Sequence, residues 1–263
     1  MADFEALDRA RKAVADRAEL PGMSLMEHLE ELRKRLIHSI VYLLGGCIVA
    51  GIFDRYLTAF IQKPLNELGL KLAQFHPTEA INFDIKTAFV FGAIFASPFI
   101  LYQLWLFIAP GMYANEKKYV IPFMSATVAL FLSGAWFGYR YVLPQTIKIL
   151  VLGFGKNFTP MIGIEEYTGF ILAVILGLGI CFELPIFICF LSLFGIVDAK
   201  FLLRNFRYAI LAIFLVAAAI CPDPSPVGMF LFASPMLVLY FVGVAVAYYV
   251  HPDHRKAKET TAA

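Results

Sequence analysis

Charge is scarce in this chain: only 16% of its 263 residues are Asp, Glu, Lys or Arg. A soluble domain carries about 25%. Hydrophobic residues make up 60%, and the mean hydropathy is +0.74. These values argue against a water-soluble globule, and equally against a disordered or collagen-like chain. The net charge is only +2, so no polybasic surface marks a nucleic-acid partner. Cysteine is sparse as well. Cys47, Cys181, Cys189 and Cys221 form no CxxC pair, which argues against a disulfide framework or a zinc site and leaves buried apolar thiols. No G-x-x-x-x-G-K-[ST], H-E-x-x-H or G-x-S-x-G occurs, so a nucleotide site and a zinc or serine intramembrane protease lack their motifs. The histidines are scattered and make no haem pair. The residues point to no metal, no cofactor and no enzyme.

Long apolar runs are what the chain does have. A bilayer core about 30 Å thick needs roughly 20 apolar residues in a helix. Six candidate segments are present: Leu36–Phe53, Thr87–Ile108, Tyr119–Tyr139, Gly169–Phe194, Tyr208–Ile220 and Val227–Val250. Runs of this length exclude a transmembrane β-barrel, whose segments alternate over about 10 residues. The expected class is an all-α integral membrane protein with six transmembrane helices. The fifth segment, at about 1.5 Å per residue, reaches only about 20 Å. It is a short span or one arm of a hairpin, and a thinned bilayer is expected beside it.

Six crossings put both termini on one side. That side carries fifteen of the 22 Lys and Arg residues and the other side seven, which places both termini in the cytoplasm. Residues 54–86 and 140–168 then form outer loops of about thirty residues, long enough for short capping helices. Tyr102 and Trp105 mark the inner interface; Trp136, Tyr139 and Tyr141 mark the outer one. Residues 1–35 are too charged for a signal peptide, and residues 2–14 read as a weakly amphipathic helix. Pro21-Gly22 breaks it, and Ser24 with Glu27 has capping-box spacing. Leu25, Leu29, Leu32 and Leu36 form the apolar stripe of the helix that follows. The chain divides into an N-terminal extension (1–23), a membrane domain (24–250) and a C-terminal tail (251–263).

Three places carry chemistry. Glu183 is the one charged residue deep in an expected span. An ionisable group there costs roughly 2.5–3.5 kcal/mol on insertion scales, tolerated when it meets a partner or a wet cavity. It reads as a docking or proton-binding point, or as a neutral acid bonded to a neighbouring helix. Pro185 lacks an N–H, so the carbonyl of Cys181 loses its donor and the helix should kink. Gly177 and Gly179 allow another helix to approach closely. The second place is Glu27, Glu30 and Glu31, just before Arg33-Lys34-Arg35. The basic trio is explained by positive-inside anchoring; the acids are not. The third is the tight inner loop 107–118, which carries Glu116.

Together these residues resemble a known family. His28-Leu29-Glu30-Glu31-Leu32-Arg33-Lys34-Arg35-Leu36 resembles its signature H-L-x-E-L-R-x-R-L. Pro98 through Pro110, with Tyr102-Gln103 and Trp105 to Pro110, resembles a second signature, continued by Tyr113, Glu116 and Lys117. Phe182-Glu183-Leu184-Pro185 is similar to its F-E-x-P motif. The family is TatC, the polytopic subunit of the twin-arginine, Sec-independent protein translocase, and the resemblance covers about residues 24–250. One departure stands after the fifth segment. The family's T-P-P-D-x-x-S-Q is here Cys221-Pro222-Asp223-Pro224-Ser225-Pro226, so Asp223 matches an acid but the Gln has no counterpart.

The resemblance implies a cup-shaped bundle in the bacterial cytoplasmic (inner) membrane. It implies a receptor that binds twin-arginine signal peptides and assembles, in an oligomeric complex, with the single-span partners TatA and TatB. Folded proteins then cross at the expense of the proton-motive force. By resemblance, Glu31 and Glu116 take the arginine pair, and Arg33 and Phe107 shape the same surface. Glu183 and Pro185 fall at the partner-docking position, and Pro64 and Asp223 at functional outer positions. Two adjacent guanidinium groups are well met by carboxylates in bidentate geometry, which agrees with this. The competing class is a proton-coupled secondary transporter titrating Glu183. It leaves the cytoplasmic acids without a role, and the two halves of the chain show no repeat.

Overall fold

The computed structural model describes residues 25–108, 120–155, 159–193, 195–221 and 226–250. Ser24, residues 2–14, Glu116, Asp223 and the C-terminal tail lie outside them. The apolar runs give helices: α1 Leu25–Ile52, α3 Glu79–Ile108, α4 Val120–Phe137, α6 Ile164–Cys181, α7 Leu184–Leu193, α9 Phe206–Ile220 and α10 Pro226–Val250, with Pro98 carried inside α3 and Pro235 inside α10. Between them stand α2 Asp54–Asn66, α5 Leu143–Ile147 and α8 Ala199–Arg204, the last capped by Asp198, which accepts from the amide of Phe201. Among the described residues five helical stretches are long and apolar enough to cross a membrane, and a shorter apolar helix covers Phe206–Ala219. The short fifth segment is real: α9 has 15 residues, about 22 Å at the α-helical rise against a core of about 30 Å.

The third and fourth spans differ from a plain rod. The third does not stop at Tyr139. It runs on through a π-helical turn, Gly138–Val142, then α5, then a second π stretch, Lys148–Phe154. Pro144 would break an α-helix because it has no N–H to offer. The wider turn ahead of it absorbs the defect, the amide of Leu143 reaching back to the carbonyl of Gly138. The expected loop 140–168 is therefore helical over its first half. The fourth span breaks as expected next to Pro185. The amides of Phe182 and Glu183 bond to Leu178 and Ile180, and the carbonyl of Glu183 opens α7 by accepting from Phe187.

α6 is the most enclosed helix, packing on α3 and α4 with Ile171, Val174 and Leu178 fully buried. α7 packs on α10, and α10 on α9. α1 lies almost wholly against α3, and the two run antiparallel. Its apolar stripe points away from the bundle: Leu29, Leu32 and Leu36 are exposed, as are Ile40, Leu44 and Ile48. Trp105, expected at the interface, is buried; Trp136, Tyr141 and Tyr102 are exposed as expected.

At the end opposite Glu31, Pro64 organises the cap. It lies buried inside α2 and cannot donate to the carbonyl of Phe60. That carbonyl accepts instead from Tyr139 Oη at 2.9 Å, with the Phe60 and Tyr139 rings stacked at 3.9 Å. The next carbonyl, Ile61, accepts from buried Tyr167 Oη at 2.7 Å. A short parallel pairing of β1 Leu72–Ala73 with β2 Ile162–Gly163 joins the two outer segments. Buried Glu79 opens α3 by accepting the amides of Phe75 and His76. Removing the Tyr167 hydroxyl takes a buried hydrogen bond from the Ile61 carbonyl, which costs about 0.5–1.5 kcal/mol. Tyr167→Phe is expected to lower the melting temperature in detergent and Tyr139→Phe to lower it less, since Tyr139 is partly exposed. Equal melting of all three proteins would remove this clamp.

Candidate functional site

The seam between α1 and α3 is built from polar and small residues. Its tightest point is Gly46 against Gly92, where a Cβ on Gly46 would strike the Gly92 carbonyl oxygen. From there the seam runs through Tyr42, whose ring lies 5.4 Å from that of Phe99, to a polar cluster at the end of the bundle. Arg35 Nη2 bonds Glu31 Oε1 at 3.2 Å, and Arg35 Nη1 bonds Gln103 Oε1 at 3.2 Å. One turn further, the rings of His28 and Phe107 stack at 4.5 Å. The Glu31 side chain is only 15% exposed, and its Oε2 has no hydrogen-bond partner among the described residues. The structure thus brings Glu31 and Phe107 to one face.

It does not bring Arg33 there. Two positions along a helix is a turn of about 200°, so Arg33 points to the far side of α1. There it is exposed and lines a shallow hollow with Glu30, Lys34 and His38. Arg35, assigned to anchoring by the sequence, turns inward instead. His28, Arg35 and Gln103 join this cluster and were not among the expected site residues. The signal was available: His28, Glu31 and Arg35 recur at spacings of three and four, and Gln103 is a lone amide in an apolar run.

Glu183 sits in the break between α6 and α7, half-buried, with Oε1 lacking a partner among the described residues. It lines a cavity of about 170 Å³ with Leu101, Trp105, Thr127 and Phe187. The other polar groups there are satisfied. Trp105 Nε1 donates to Thr127 Oγ1 at 3.1 Å, and Thr127 Oγ1 donates to the carbonyl of Phe123. Pro185 is buried at the second position of α7. Gly179 takes the ring of Phe131, and Gly134 and Gly138 of the third span press on Leu178 and Val174, so small residues close this crossing from both sides. Pro64 stands at the other end of the molecule, near a larger hollow of about 570 Å³ among Asp54, Lys71 and Asp84. Among the described residues no group of His, Cys, Asp and Glu is arranged to hold a metal ion.

The fold defines a class: a multi-pass, all-helical membrane protein with one polar cluster at the end of its first seam and one carboxylate at a helix break. The comparisons narrow it. Residues 27–235 match the family model for the Sec-independent protein translocase protein TatC. The TatC protein of Koribacter versatilis is 46% identical over 258 residues, 96% of this chain and 95% of that protein. The TatC protein of Aquifex aeolicus is 38% identical over 226 residues, 84% and 93% of the two chains. Two crystal structures of the twin-arginine translocase receptor TatC superpose with TM-scores of 0.74 and 0.78 at 38% and 36% identity. Each covers 84% of this chain, with 98% and 99% of its own length matched. The chain belongs to the TatC family. It is accordingly a protein-translocase component, not an enzyme.

Proposed function

We propose that this chain is the signal-peptide receptor of a twin-arginine translocase in the bacterial cytoplasmic membrane, with the Glu31 end facing the cytoplasm. The observation that carries the reading is the carboxylate of Glu31: nearly buried, half-engaged, and one turn from the His28–Phe107 stack. A buried carboxylate oxygen without a donor is costly and invites one. A guanidinium supplies a donor and the opposite charge together. Glu116, by its place in the family motif, takes the second arginine of the pair. Phe107 walls the peptide, and Arg33 with Lys34 forms a separate basic edge. Glu183, with Pro185 fixing the break that presents it, receives the single-span partners TatA and TatB within the bilayer. Pro64 and Asp223 act at the outer face. Folded cargo then crosses on the proton-motive force within an oligomeric assembly.

Charge-assisted hydrogen bonds contribute roughly 1.5–3 kcal/mol each, about tenfold or more in affinity. Glu31→Gln and Glu116→Gln are each expected to weaken twin-arginine peptide binding by about that factor, with melting temperature unchanged. Photo-crosslinking from probes in residues 24–36 and 107–118 to the peptide maps the contact. Wild-type affinity in the double variant removes both residues from the site.

A further inference from the structure

An arginine already stands beside Glu31. Arg35 is one turn along α1 and gives the carboxylate a single N–H, Nη2 to Oε1 at 3.2 Å. A guanidinium and a carboxylate pair best through two parallel bonds. Here the second bond is not made. Glu31 Oε2 and Arg35 Nε are both buried and both without a partner among the described residues. The cause lies on the neighbouring helix. Arg35 Nη1 donates to Gln103 Oε1 at 3.2 Å, and Gln103 is 5% exposed, fixed in the α1–α3 seam. The amide draws the guanidinium toward α3 and away from a full fork on Glu31.

We infer that Gln103 is a positioning residue: by holding Arg35, it stops the chain's own guanidinium from closing over both oxygens of Glu31, and so keeps Oε2 for an incoming guanidinium. This rests on the reading that Glu31 receives an arginine of the signal peptide. Arg35 offsets part of the cost of a buried carboxylate in the unliganded receptor. Left unheld, it becomes the peptide's intramolecular competitor, always present at high local concentration. The same restraint accounts for a lone buried amide in an otherwise apolar stretch of α3, which would be unfavourable without a bonded partner.

The coupling between the two residues is the test, because a merely structural role does not produce it. The full-length protein in detergent is titrated with a twin-arginine signal peptide, and each variant's melting temperature is recorded alongside. Gln103→Leu frees Arg35 and is expected to weaken binding by about five- to tenfold. Adding Arg35→Gln to Gln103→Leu is expected to bring affinity back to within about twofold of Arg35→Gln alone. Gln103→Glu keeps an acceptor for Arg35 and retains wild-type affinity. If the loss in Gln103→Leu persists undiminished in the double variant, or if Gln103→Leu binds as wild type, the inference is overturned. Glu31→Gln separates the two levels. Lost binding there without coupling between Gln103 and Arg35 overturns this inference alone; unchanged binding there overturns the site reading and this inference with it.

Discussion

Gly92→Leu and Gly46→Leu are expected to unseat α1 from α3, while Gly45→Leu, one residue away, is silent. A Cβ on Gly92 would stand 2.6 Å from the amide nitrogen of Cys47 and 2.8 Å from its Cα, and one on Gly46 would meet the carbonyl of Gly92. These obstacles are backbone atoms, so no rotamer change relieves them. Gly45 has nothing within 4 Å. Overpacking a core with movable side chains costs about 1–3 kcal/mol. A four-carbon side chain driven into backbone belongs at the top of that range or beyond it. The consequence is large because α1 leans on α3 for almost all its burial, and between helices in lipid close packing does the work that hydrophobic burial does in water. The seam holds the Glu31–Arg35–Gln103 cluster and the His28–Phe107 stack, so signal-peptide binding should be lost together with stability. Thermal melting in detergent and a peptide titration read both. If Gly92→Leu melts with Gly45→Leu, the glycine crossing does not hold the seam.

Glu183 gives the second large effect. Its Oε1 is buried without a partner among the described residues, in a cavity whose other polar groups bond each other. Under the proposed docking role, a polar group in a partner's single span completes it. Intramembrane hydrogen bonds contribute about 0.6–2 kcal/mol, roughly 3- to 30-fold in association. Glu183→Ala is expected to lower partner crosslinking and cargo export by that order. Glu183→Gln keeps a donor and an acceptor and should retain most of both. Pro185→Ala supplies the N–H that the Cys181 carbonyl lacks, mends the break and rotates residue 183 off the cavity, giving an intermediate defect. Equal behaviour of Gln and Ala would show that Glu183 is not a hydrogen-bonding group. Loss of export in Gln alone would make its titration essential.

Much of this architecture was legible from local properties. Run length marked the spans, including the short one that became α9. The proline after Glu183 located the break between α6 and α7. The acids ahead of Arg33 pointed to the end of the bundle where Glu31 sits half-engaged. The first error has a general cause. Hydrophobic periodicity tells inside from outside in water, but lipid tails are as apolar as a protein core, so in a membrane the stripe loses that meaning. Leu29, Leu32 and Leu36 formed the visible stripe and face outward, while the opposite polar strip of His28, Glu31 and Arg35 faces α3. Trp105, read as an interfacial anchor, is buried because Thr127 gives its indole N–H a partner inside. The third span was expected to end at Tyr139, among the outer aromatics, and the π-helical turn that carries the helix past Pro144 has no simple sequence signature.

The sequence by itself determined that this is a multi-pass helical membrane protein, that its fifth crossing is short, where the fourth one breaks and which acids lack a structural excuse. Those are properties of one segment at a time: apolar length against bilayer thickness, a missing N–H, the cost of a charge. Tertiary structure alone decided that Arg35 rather than Arg33 lies against Glu31, that Gln103 holds it there, and that the carbonyls next to Pro64 are taken up by Tyr139 and Tyr167. Each of these depends on which faces of two distant segments meet. Here that is settled by backbones close enough to touch at Gly46 and Gly92, a complementarity between surfaces that no single stretch of residues contains.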